Sequence, residues 1–251
     1  MHLIDQIASP LIIGHRGASA HAPENTIAAF KLAVEHGADG IELDAKLSAD
    51  GHIMVIHDQT VDRTTGGQGA VRSLTLGQLK QMDAGSTFDA QFAKEPIPTL
   101  DEVFFEVGQR TLINVELTNY LTPTDALPDL VADLVIKYGL QDRVFFSSFN
   151  ANNLARIHRR LPNAPVAILT PGGAAGWLMR GWLGRVSSPK YIHPYYADVT
   201  GRFVESEHQR GRKINTWTVN DPAEMKRLFN LKIDGIITDD PRLAREVLEE
   251  K

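Results

Sequence analysis

Short apolar runs alternate with segments of helical period along nearly all of the 251 residues, and no other feature constrains the fold as tightly. The runs predict strands at 11–13, 40–47, 52–57, 111–117, 143–148, 165–169, 190–193, 213–219 and 234–238. A helix is predicted over 24–36, with Ile27, Phe30 and Val34 on one face and Gly37 as its stop. Thr99-Leu-Asp-Glu102 forms a capping box that opens the next helix. Others are expected at 125–138, stopped by Gly139, at 150–161, at 200–210, after Asp221-Pro222, and from Pro241. Strands 40–47 and 52–57 face each other through Asp50-Gly51, a strong hairpin signal. Setting that returning arm aside leaves eight strands, most followed by a helix. The count and order predict an α/β fold, a (β/α)₈ TIM barrel, as a single domain over 1–251. A doubly wound sheet is the alternative, but no glycine fingerprint of a nucleotide site supports it. Residues 58–98 show little hydrophobic pattern and are too long for a plain loop, so a small subdomain inserted after the hairpin is expected.

The net charge of −5 argues against a nucleic-acid partner, because nothing global would attract a polyanion. The chain has no cysteine, which excludes disulfides and thiolate metal sites and agrees with a cytoplasmic setting. Residues 1–10 lack a basic start and carry Asp5, unlike a signal peptide. No run of 18 apolar residues is present, so membrane insertion is not expected. Oligomeric state is not written in the sequence.

The chemistry-bearing residues cluster at predicted strand ends, where such barrels build their sites. His15, Arg16, Asp44, Glu116, Ser148, Asn220 and Asp239 all fall there. Glu42 and Asp44 alternate with apolar residues and share one strand face. With Asp50 and Gly51 as central turn residues, Leu47 would lie opposite Met54 and Asp44 opposite His57. That register would bring His57 beside the acidic pair. Glu116 interrupts an otherwise apolar strand, and an inward carboxylate there needs a partner. Glu42, Asp44 and Glu116 together offer three oxygen ligands for Mg²⁺ or Ca²⁺.

These segments, in order, resemble the glycerophosphodiester phosphodiesterase family, most of all its short bacterial cytoplasmic members. The resemblance rests on Gly14-His-Arg-Gly17, Pro23-Glu-Asn-Thr26, Glu42-Leu-Asp44, His57-Asp58, Arg63-Thr-Thr65, Trp217-Thr-Val-Asn220 and Asp234-Gly-Ile-Ile-Thr-Asp239, and it runs from about Leu11 to Pro241. It implies hydrolysis of a small glycerophosphodiester to glycerol 3-phosphate and an alcohol. It also implies a divalent cation on Glu42, Asp44 and Glu116, with His15 and His57 as general acid and base. Arg16 would contact the phosphate, Trp217 would line the glycerol pocket, and Glu24 would help organise the site. One departure stands out: many members carry a lysine where this chain has Thr118. Arg16 or a lysine from elsewhere is then left to hold phosphate.

Two other functions are weighed. A lysophospholipase D would need an apolar trough, and residues 172–186, with Trp177, Leu178, Met179, Trp182 and Leu183, are the one stretch suggesting it or a peripheral lipid contact. A non-catalytic phosphate-binding barrel would have no use for two histidines. His36, His52, His158, His193 and His208 show no partner pattern, so structural or surface roles are expected. Asp239 and Asp240 are expected to cap the last helix.

Overall fold

The computed structural model describes residues 2–186 and 189–250; the side chains of 180–186 fall outside the described residues. Strand β1 (Leu11–Gly14), helix α1 (Ile27–Glu35), β2 (Gly40–Leu47) and β3 (Ile53–Val55) come first. Between β3 and α3 (Leu100–Val107) lie the one-turn α2 (Leu76–Leu79) and two three-residue 3₁₀ turns, Val71–Ser73 and Ala90–Phe92. Then come β4 (Leu112–Leu117), α4 (Leu127–Tyr138), β5 (Val144–Ser148), α5 (Ala151–Arg160), β6 (Val166–Thr170) and α6 (Gly173–Val186). The chain continues with β7 (Tyr191–Pro194), α7 (Gly201–Gln209), β8 (Lys213–Thr216), α8 (Pro222–Asn230), β9 (Gly235–Thr238) and α9 (Pro241–Glu249). Because β1 pairs in parallel with both β2 and β9, the eight parallel strands close into a ring. The expected (β/α)₈ barrel is therefore met.

Side-chain alternation sorts each strand into an inner and an outer set. The outer set, including Ile12, Leu43, Val115, Phe146, Ile192 and Ile236, packs against the helices in the main core. The inner set begins apolar: Leu11, Ile13, Leu112, Phe145, Tyr191 and Ile237 cluster with Ile4 near the strand starts. Further along, the same inner positions carry Glu42, Asp44, Asn114, Glu116 and Ser147. One parity thus gives the barrel a greasy floor and a polar mouth.

Two expectations are corrected here. The hairpin pairs Ala45 with Val55, Lys46 with Met54 and Leu47 with Ile53, so Leu47 does not face Met54 and Asp44 does not face His57. The loop takes three residues rather than two, closed by Ser48 N–H to the His52 carbonyl (2.9 Å), with Gly51 at φ +81°. Asp50 is drawn out of a two-residue turn because its carboxylate accepts from Ser48 Oγ and from Leu76 N–H of the insertion. Helix α1 begins at Ile27 rather than Glu24, since Thr26 caps it through Ala29 N–H.

Residues 58–98 are not a loose loop. Val61, Val71, Leu79, Ala84 and Ile97 gather with Met54 and Ile56 in an apolar cluster of their own. Lys80 ties the far side down through Glu102, the N3 residue of the observed Thr99 capping box. No described helix is long and apolar enough to cross a membrane. On α6, Trp177 and Leu178 are exposed, whereas the side chains of Trp182, Leu183 and Arg185 lie outside the described residues.

Candidate active site

Glu42 and Asp44 leave β2 on its inner face, and Glu116 leaves the adjacent β4, paired in register with Asp44. One carboxylate oxygen from each lies within 4.8 Å of the others. Three carboxylates so close, Glu42 and Asp44 buried and Glu116 half-buried, cannot all keep ordinary acidity. Burial, then the charges of Asp44 and Glu116, push Glu42 well above the carboxylate range. Burial and Asp44 push Glu116 up to about 8. Among the described residues, oxygen donors at this spacing fit a hard divalent cation, whose charge would relieve that repulsion. Tyr120 Oη donates to Glu116 Oε1 at 2.7 Å and orients it.

The loop between β1 and α1 folds over this trio. Arg16 (φ 55°) and Asn25 (φ 58°) both adopt the left-handed region, which costs a side chain energy and marks a shape held by its surroundings. Gly17 is required there, because a Cβ would come within 2.7 Å of the Ala29 backbone. The strained path pays off in contacts: Arg16 N–H donates to Glu42 (3.0 Å), and Asn25 Nδ2 donates to Asp44 (2.9 Å). The Arg16 guanidinium reaches Glu24 at 2.8 Å and lies 3.4 Å from Asp44. Burial would depress its pKa, but Asp44, Glu24 and Glu42 outweigh that and raise it.

Both histidines are tethered through Nδ1. His15 Nδ1 lies 2.6 Å from Asp239 Oδ1, a contact joining the first strand's end to the last strand's end. Asp239 also accepts from Ser19 Oγ (3.0 Å) and Asn220 Nδ2 (2.5 Å). Burial pushes the Asp239 carboxyl up, but His15, Asn220 and Ser19 prevail and hold it low. His57 Nδ1 lies 2.7 Å from Asp58 Oδ1. Arg63 grips Asp58 through Nε (2.7 Å) and Nη2 (3.1 Å) while reaching Glu24 with Nη1 and Nη2. That grip, with His57, holds Asp58 far below the usual carboxylate range. In each ring the Nδ1 hydrogen bond leaves Nε2 as the nitrogen available to a ligand.

His15, Arg16, Glu42, Asp44, His57 and Glu116 line one cavity of about 80 Å³. Trp217 and Phe149 wall it, their rings meeting edge to face at 5.8 Å. Trp217 is fixed by its Nε1 donating to the His193 carbonyl (2.8 Å). A far larger groove, about 1260 Å³, opens at the strand starts beside His2, Asp142 and Val166, at the opposite end from the carboxylates. Glu24 does not line this cavity but bonds to Arg16, which does, and to Arg63.

Lys46 was missed in the sequence, and the roles of Asp239, Asp58 and Arg63 were not read from it. Lys46 continues the Glu42-Asp44 alternation, and its Nζ donates to the His57 carbonyl at 2.5 Å. Burial lowers its pKa against the opposing charges of Asp44 and Glu116. Asp239 does not cap α9; Asp240 does so alone, through Leu243 N–H. The Asp58–Arg63 clamp lies in a loop with no period to read. Thr118 closes the β2–β4 ladder, its Oγ1 donating to the Ala45 carbonyl at 2.8 Å. Lys46 is the next residue along β2, so a lysine stands beside the position where the expected one is absent.

A model of the glycerophosphoryl diester phosphodiesterase family matches residues 15–243. The chain belongs to that family. It is 42% identical over 233 residues to a glycerophosphodiester phosphodiesterase of Caldanaerobacter subterraneus, covering 92% of this chain and 94% of the relative. It is 37% identical to a glycerophosphodiester phosphodiesterase of Bacillus altitudinis, covering 95% and 98%. Among solved structures, an Oleispira antarctica phosphodiesterase in complex with the product sn-glycerol-3-phosphate superposes with a TM-score of 0.88. It is 29% identical, with 96% of this chain and 97% of that one covered.

Proposed function

We propose that this family member hydrolyses small glycerophosphodiesters to glycerol 3-phosphate and an alcohol, on a single barrel domain that carries 58–98 as an insertion. The observation that carries the reading is the single cavity holding three carboxylates within 4.8 Å of one another and two carboxylate-tethered imidazoles. Glu42, Asp44 and Glu116 would hold the divalent cation, Mg²⁺ or Ca²⁺. Bound there, it would offset phosphodiester charge and polarise an oxygen. His15 and His57 act as the acid–base pair through Nε2, one accepting the nucleophile's proton and the other protonating the leaving oxygen. Asp239 and Asp58 fix the ring orientation for that transfer. Arg16 presents a charged donor to phosphate at the rim of the trio, and Lys46 holds the His57 backbone in place. Trp217 offers a flat apolar wall to the glycerol moiety, and Glu24 keeps both arginines aligned.

A direct test measures glycerol 3-phosphate released from glycerophosphocholine with Mg²⁺, with Ca²⁺ and with chelator. Turnover with at least one cation and none with chelator is the expected result. No product under any condition would leave a phosphate-binding barrel instead. A second substrate reading is favoured by the exposed Leu121, Trp177 and Leu178, which follow the ends of β4 and β6 on the site's side of the barrel. In that reading the substrate keeps one acyl chain, and faster release of choline from lysophosphatidylcholine than from glycerophosphocholine would establish it.

A further inference from the structure

We propose that His21, His36 and Asp240 form a second cation site, outside the catalytic cavity, selective for a borderline-soft transition ion of the Zn²⁺ class. The three residues meet at the seam where the first and last barrel units join. His21 lies in the loop after β1, His36 is the C-terminal cap of α1, and Asp240 opens α9. One ligand atom from each falls within 4.8 Å of the others. His21 Nε2 stands 2.8 Å from Asp240 Oδ2, and the two imidazoles meet edge to face with centroids 5.3 Å apart. Asp240 Oδ1 is taken up by Leu243 N–H, which turns Oδ2 toward the rings.

The deciding atom is His36 Nδ1. It is buried and has no hydrogen-bond partner among the described residues. A buried polar atom without a partner is costly, and such exceptions call for an explanation. An ion coordinated by Nδ1 removes the cost, and Asp240 Oδ2, already paired with His21, supplies the carboxylate oxygen. Two imidazoles and one carboxylate form a donor set suited to Zn²⁺, Co²⁺ or Ni²⁺, with a fourth position left for water. Mg²⁺ and Ca²⁺ fit poorly, because only one carboxylate is present and the charge of Arg242 acts on both His36 and Asp240. Metal–ligand distances of about 2.0–2.1 Å require the three atoms to draw together. His21, with its side chain 30% exposed, has the freedom to swing in. Occupation would staple α1 to α9 across the seam, directly behind Asp239.

The experiment uses tag-free protein saturated with Mg²⁺, titrated with Zn²⁺ by calorimetry and with Co²⁺ by visible absorption. One Zn²⁺ per chain, a Co²⁺ spectrum typical of nitrogen ligation, and a Tm rise of about 5–10 °C at a hundredfold excess over Kd are expected. His36→Ala and His21→Ala should each weaken binding by more than about tenfold, since losing even an outer partner of a ligand costs roughly 10- to 100-fold. Glu116→Gln should leave this binding unchanged, and His36→Ala should keep the parent's Mg²⁺-supported turnover. Zn²⁺ affinity that survives both histidine variants, or that disappears in Glu116→Gln, overturns the proposal. An all-oxygen Co²⁺ spectrum on the unaltered chain, or no Zn²⁺ uptake in Mg²⁺, overturns it without any variant.

Discussion

The two histidine–carboxylate pairs face the same cavity but are built on opposite principles. His15 and Asp239 come from the first and last strands, and Asp239 is steadied by neutral donors, Ser19 and Asn220. His57 and Asp58 are consecutive in the chain, and Asp58 is steadied by a charged clamp, Arg63 bridging to Glu24. The imidazoles differ in exposure, 19% for His15 against 43% for His57, whereas their carboxylates are alike at 31% and 28%. A half-buried pair at the strand ends can rely on neutral donors and geometry. A pair at the rim, where water competes for every donor, needs formal charge and a lysine on its backbone carbonyl. Rim charges are also screened by salt, so the second design is adjustable where the first is rigid.

The largest effect that tests this contrast is removal of the imidazoles themselves. His15→Ala and His57→Ala should each lower kcat by about 10²- to 10⁴-fold with Mg²⁺ present. A variant retaining most of its rate would remove that histidine from the acid–base pair. Next comes the carboxylate behind each ring. Asp239→Asn should cost about 100-fold in kcat/KM, because the neutral donors around it cannot restore the ring's orientation. Asp58→Asn should cost nearer tenfold, since Lys46 still anchors His57. Equal losses would erase the distinction between the two designs. Arg63→Ala should lower kcat a few-fold, and raising NaCl from about 0.05 to 0.5 M should reproduce part of that loss in the parent, consistent with an exposed ion pair. A salt response of the same size in Arg63→Ala would place the sensitivity elsewhere.

The smallest effect concerns the trio both pairs share. Glu116 titrates near 8 in the folded chain against an ordinary 4.5, so the folded state binds the extra proton between those values. Its contribution to stability in chelator is complete below about pH 4.5 and is lost as pH rises through about 8. A divalent cation takes the proton's place, so the Tm gap between Mg²⁺ and chelator should widen from pH 5 to 8. A gap that stays constant, measured by calorimetry, would show that the carboxylates are not the cation's ligands.

Much of this was legible in the sequence because period-two alternation is unforgiving. Alternation puts Glu42 and Asp44 on one strand face, and Glu116 breaks an otherwise apolar strand, so all three carboxylates stand out in the sequence. The same rule applied two residues further would have found Lys46. Where the inference rested on turn type it slipped by one residue: Asp50 was needed by Ser48 and Leu76, and a three-residue loop resulted. His57 still reaches the cavity, because the strand ends at Val55 and the chain turns inward past the ladder. Asp239 and Asp240 are chemically identical neighbours, and only the closed barrel shows that one serves His15 while the other caps a helix. The Arg63 clamp depends on how the insertion folds back, which no local pattern records.

Joining His15 to Asp239 spans 224 positions of chain. On the role proposed for His15, synthesis must deliver the ninth strand before that imidazole is oriented, and hydrolysis would not begin on a half-made ring. During refolding, the return of turnover should coincide with amide protection of β9 and lag behind that of β2 and β4.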